Sequence, residues 1–75
     1  MNGQTQLFPA LMNIIHPDST VQAMPGEPVS IGRILDSLGI SPAEVIVSRN
    51  GKLVPEDAVA GGDDEIRIIR IAHGG

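Results

Sequence analysis

Seventy-five residues, nine acidic against five basic side chains, a formal net charge of −4 and no cysteine limit the protein to one small domain, with no disulfide and no thiolate zinc site to stabilise it. The five cations, Arg33, Arg49, Lys52, Arg67 and Arg70, are scattered along the chain, which argues against a nucleic-acid binder, since phosphate contacts need a clustered basic face. No apolar run reaches the roughly 18 residues that cross a bilayer and residues 1–6 carry no charged n-region, so a cytoplasmic protein is expected.

Residues 1–6 are polar and read as a flexible N-terminus. Residues 7–16 are apolar on both alternating faces, the pattern of a strand inside a sheet, with Pro9 near its start. His16-Pro17-Asp18-Ser19 is a turn cluster, and Thr20 to Met24 reads as a second strand, giving a hairpin. Pro25-Gly26-Glu27-Pro28 then breaks the chain. Ser30 is a good N-cap, and Ile31, Ile34, Leu35 and Leu38 follow at i, i+3, i+4 and i+7, the spacing of one helical face. Gly39 occupies the C′ position at which a left-handed residue ends a helix.

Ser41-Pro42-Ala43-Glu44 reads as a connector or a single helical turn. Val45 to Arg49 is rich in β-branched residues and reads as a strand. Asn50-Gly51 is the strongest hairpin signal in the chain, with Lys52-Leu53-Val54 as its return. Residues 58–65 read as a loop or loose helical turn, and Ile66 to Ala72 as the last strand. The predicted order is ββαβββ, an α+β fold in which one helix covers one face of a mixed sheet. The domain is expected over residues 7–72, with residues 73–75 an exposed tail.

Within the last strand Ile66 and Ile68 alternate toward the helix, whereas Ile69 and Ile71 fall out of phase with them. A regular strand would place Ile69 and Ile71 on the open face as an apolar patch; a bulge would instead return Ile69 to the core. Other chemistries find little support. His16 and His73, the two histidines, have no ligand-spaced companion. Asp63-Asp64-Glu65 lacks calcium-loop spacing, and Gly61-Gly62 has no following Lys-Ser or Lys-Thr to make a phosphate loop.

Two segments, Val47-Ser48-Arg49-Asn50-Gly51-Lys52-Leu53-Val54-Pro55-Glu56-Asp57 and Asp63-Asp64-Glu65-Ile66-Arg67-Ile68-Ile69-Arg70-Ile71-Ala72-His73-Gly74-Gly75, resemble the ThiS/MoaD family of ubiquitin-like sulfur carriers. The Asn-Gly turn followed by Val-Pro is closer to the ThiS branch. The resemblance implies a β-grasp fold and a carrier that is not itself an enzyme. In such carriers the C-terminal carboxylate, here that of Gly75, is adenylated by an E1-like (ThiF/MoeB-like) adenylyltransferase using ATP. A sulfur donor then converts it to a thiocarboxylate, which serves a sulfur-accepting synthase, with thiamine thiazole formation the favoured destination. It implies no bound cofactor and no metal.

The resemblance further assigns the tail to His73, Gly74 and Gly75 and partner contact to Ile69, Arg70, Ile71 and Ala72. His73 stands where the family carries a small or hydroxylated residue, a departure inside the segment that a partner enzyme must thread. A glycine end suits this chemistry for a physical reason: without Cβ the backbone can approach a reacting phosphorus or nucleophile closely. A molybdopterin-synthase small subunit, a protein modifier joined to lysines and a β-grasp interaction module are the alternatives.

Overall fold

A computed structural model of the chain describes residues 10–71. Its elements are β1 (Leu11–Ile15), β2 (Val21–Pro25), β3 (Val29–Ser30), α1 (Ile31–Ser37), a 3₁₀ turn (Pro42–Glu44), β4 (Val45–Arg49), β5 (Lys52–Val54), β6 (Val59–Ala60) and β7 (Glu65–Arg70). The expected N-terminal segment, residues 7–9 of the first strand, and residues 72–75 lie outside the described residues.

The main sheet has the order β2-β1-β7-β4-β5. β1 and β7 run parallel; the other neighbours are antiparallel. This is the α+β arrangement expected from the element order, a mixed sheet on one helix, and the β-grasp fold that the resemblance implied. Met12, Ile14, Ile66 and Ile68 of the sheet and Ile31, Ile34 and Leu35 of the helix are almost wholly buried. The core of the described residues is thus aliphatic, and β-branched and linear side chains interdigitate at the sheet–helix contact.

Seven residues of helix would not persist alone in water. Burial of Ile31, Ile34 and Leu35 holds α1 in place, and its first turn is closed by three acceptors. Ser30 Oγ accepts from the Arg33 N–H at 3.1 Å, Ala58 O accepts from the Ile31 N–H at 2.9 Å and Glu56 O from the Gly32 N–H at 2.8 Å. These satisfy donors that a helix cannot pair internally. At the other end Gly39 takes a φ of 72°, the left-handed conformation that ends the helix. The Asn50-Gly51 turn has φ of 53° and 87°, positive at both central residues as a type I′ hairpin requires.

Residues 58–65 depart from the expectation of a loop or loose turn. Val59–Ala60 pairs antiparallel with Val29–Ser30 in a second, two-stranded sheet. Neither piece is long enough to carry an alternation pattern. They pair because the carbonyls of the β5–β6 connection cap α1, which brings this segment beside the residues entering the helix. The Arg49 guanidinium donates to the Val59 carbonyl oxygen, tying the small sheet to β4.

Gly26 closes the far end of the structure. Its N–H donates to Ala10 O at 2.9 Å and its carbonyl accepts from the Gly62 N–H at 2.7 Å. A Cβ on Gly26 would lie inside contact distance of the Gly62 carbonyl oxygen and 2.9 Å from that of Ala10. Both obstacles are backbone, so a side chain must push apart β1 and the loop before β7. Gly26→Ala is expected to cost about 3 kcal/mol, read as a lower urea midpoint at unchanged m-value; an unchanged midpoint would mean that the backbone yields.

Candidate functional site

The pleat of β7 separates two roles. Ile66 and Ile68 point to the helix and are buried. Register with β4 is regular from Arg49↔Ile66 to Val45↔Arg70, so no bulge intervenes and Ile69 stays on the open face, opposite Ile46. Ile69 is 38 % exposed, Ile71 38 % and Ile46 42 %. Alternation places Leu53 of β5 on the same face, since it pairs with Ser48 of β4, and it too is exposed. The result is an apolar patch at the C-terminal end of the central strand, where the chain leaves for its glycines.

Ile46 and Leu53 are additions to the residues singled out from the sequence. Their signal was present in the strand Val45-Ile46-Val47, where Val45 and Val47 are buried and Ile46 is out of phase with them. Arg70 does not share the patch. It alternates to the helix side of the sheet, with Nη1 3.8 Å from Glu44 Oε1. Both side chains are largely exposed, and an ion pair of this kind contributes at most about 1 kcal/mol. Ala72, His73, Gly74 and Gly75 lie outside the described residues.

Both ends of β7 are fastened by polar contacts. At its C-terminal end the Ile71 N–H donates to Glu44 O at 2.9 Å, so the 3₁₀ turn holds the root of the tail through Ile71 and Arg70 together. At its N-terminal end Asn50 makes a three-point clip. The Asn50 N–H donates to Glu65 O at 2.8 Å, its Oδ1 accepts from the Glu65 N–H at 2.8 Å, and its Nδ2 donates to Asp64 Oδ1 at 2.9 Å. Asp64 Oδ2 also accepts from the Gly61 N–H at 3.0 Å. The Asn50 amide, then the Gly61 N–H, hold the Asp64 carboxyl below its ordinary value because both stabilise the ionised form. Asp64 is therefore engaged in shaping the loop. Among the described residues no group of three or more His, Cys, Asp or Glu side chains is placed to hold a metal ion, and no helix is long and apolar enough to cross a membrane.

Residues 16–72 match the family model described as small archaeal modifier protein 2. A protein of Archaeoglobus fulgidus described as an uncharacterized protein is 45% identical over 42 residues, 56% of this chain. That match spans 61% of the relative's own length, about three fifths of it.

The clip at the start of β7 generates a pH-dependent prediction. Because the Asp64 pKa is lower folded than unfolded, its contribution is complete above the unfolded carboxylate value of about 4 and is lost as pH falls through the lower folded value. Asp64→Ala should cost about 1 kcal/mol at neutral pH. The gap in urea midpoint between the variant and the parent should narrow as pH falls below the ordinary carboxylate range and Asp64 protonates. A gap independent of pH would assign the effect to packing.

Proposed function

The chain belongs to the small archaeal modifier protein 2 family, and from that premise we propose that it delivers its own C-terminal carboxyl group, that of Gly75, after activation by an E1-like adenylyltransferase. The observation that carries this reading is the apolar patch of Ile69 and Ile71, with Ile46 of β4 beside them, on the open face of the sheet at the end of the strand that precedes Gly74-Gly75 in the sequence. An enzyme that seats this patch receives the tail in one direction, from a root fixed by Glu44.

In the first step a Gly75 carboxylate oxygen attacks the α-phosphorus of ATP; the P–O bond to pyrophosphate breaks and an acyl adenylate forms. The acyl carbon then accepts a nucleophile and AMP leaves. With a sulfur donor the product is the Gly75 thiocarboxylate; with a lysine amine it is an isopeptide. The catalytic groups for both steps belong to the partner, and this chain supplies the docking face and the slim, Cβ-free acyl end. The Asn50-Gly51/Val54-Pro55 hairpin, similar to that of ThiS proteins, supports sulfur transfer to a thiazole-forming synthase. The description of the matched family as a modifier supports conjugation to proteins as a second reading. His73, next to the glycines, enters the enzyme with them and takes part in partner choice in either case.

Incubation with ATP, the E1-like enzyme and a sulfur donor should give the intact-mass shift of one oxygen-to-sulfur exchange, and a cell digest should contain Gly75–lysine isopeptides if the second reading holds. Neither product under any condition would overturn the proposal. Ile69→Asp places a carboxylate in the patch and should raise the KM for the carrier about tenfold. Deletion of Gly74-Gly75 should abolish product while leaving the fold intact.

A further inference from the structure

The open face of the sheet carries very little negative charge. Of nine acids in the chain, Glu65 alone alternates onto it; the other eight, from Asp18 to Asp64, occupy turns, loops, the helix and the 3₁₀ turn. At the middle of this face stands Arg67, on the central strand, between Ile15 of β1 and Ser48 of β4. Those two neighbours are only 8 % and 7 % exposed, although the side of the sheet they face has no second layer among the described residues. Cross-strand neighbours lie about 4.5–5.5 Å apart, within reach of an arginine stem. The guanidinium itself has no carboxylate within ion-pair distance among the described residues, where the one such pair is Arg70 with Glu44. Glu65 is on the same face, but its backbone is bound to Asn50 at the strand's opposite end from the patch.

We propose that Arg67 is the charged centre of the docking face, and that the surface of the activating enzyme it meets is apolar with an Asp or Glu carboxylate set against the guanidinium. This rests on the proposed activation by an E1-like enzyme and names the chemistry of the surface that recognises the carrier. A guanidinium with no carboxylate partner among the described residues, flanked by Ile69 and Ile46, loses water when an apolar surface closes over it, and that loss is offset only if the surface brings an acceptor. A carboxylate does so bidentately, matching the planar fork. Apolar contact then supplies affinity while the single ion pair sets orientation and excludes enzymes with a cation at that point. Arg67 is a specificity-determining residue in this scheme; it touches no reacting atom.

The test is ATP–pyrophosphate exchange by the purified E1-like enzyme, with the full chain and its Arg67→Glu, Arg67→Lys and Arg67→Met variants, each checked for folding by its urea midpoint. Arg67→Glu should raise the KM for the carrier more than tenfold at unchanged kcat, because two carboxylates then face each other. Arg67→Lys, which keeps the charge without the fork, should cost a few-fold, and Arg67→Met should fall between them. A folded Arg67→Glu variant with the parent's KM overturns the proposal while leaving activation standing. So does an equal loss in the Glu and Met variants, which would assign the effect to the stem. A parent chain that supports no exchange overturns both this proposal and the function on which it rests.

Discussion

The rest of the structure depends on β7 standing at the centre of the sheet. It is the last element of the described chain, yet it bonds on one side to β1, in parallel, and on the other to β4. Without it the β1–β2 and β4–β5 hairpins would share no ladder, and α1 would have no continuous surface to cover. These pairings join segments far apart in sequence, so their loop-closure cost must be met before the core contributes. Ile66 and Ile68, buried against the helix, supply much of the apolar burial that offsets it.

The same strand divides stability from recognition through its pleat. Successive side chains leave a strand on opposite faces, so Ile66 and Ile68 can be spent on the core while Ile69 and Ile71, a few residues on, remain available at the surface. The strand is held at both ends by polar contacts that cost none of this apolar area: Asn50 and Asp64 at its start, Glu44 at its finish. Rigidity at the root of a glycine tail reduces what must be ordered when a partner binds, and preorganisation of that kind lowers the entropic cost of docking.

Charge follows the same division. The chain is acidic overall, but of its nine acids only Glu65 alternates onto the open face; two of the others accept backbone N–H groups in turns, Asp18 from Thr20 and Asp64 from Gly61. With the other eight acids elsewhere, the open face around the patch is left to apolar side chains and Arg67. A face so composed selects partners by apolar fit and by one sign of charge, while the net charge of −4 disfavours non-specific contact with other acidic surfaces.

The amino-acid sequence by itself determined the elements whose signals are local. The helix followed from Ser30, the Ile31-Ile34-Leu35 spacing and Gly39; the β4–β5 hairpin from Asn50-Gly51; the α+β class from their order. It also set Ile69 out of phase with Ile66 and Ile68, because a period of two fixes relative faces within one strand. Only the tertiary structure decided what depends on which strands become neighbours. Pairing with β4 made Ile46 part of the patch and put Arg70 on the other side beside Glu44. The capping of α1 by Glu56 and Ala58 created β3 and β6 out of two-residue segments too short to show any period. Placement between β1 and β4 turned Arg67 from one of five scattered cations into the charge at the middle of an apolar face. The physical reason is the same in each case: propensity and periodicity act within a few residues, whereas register and neighbour choice are set by long-range hydrogen bonds and burial.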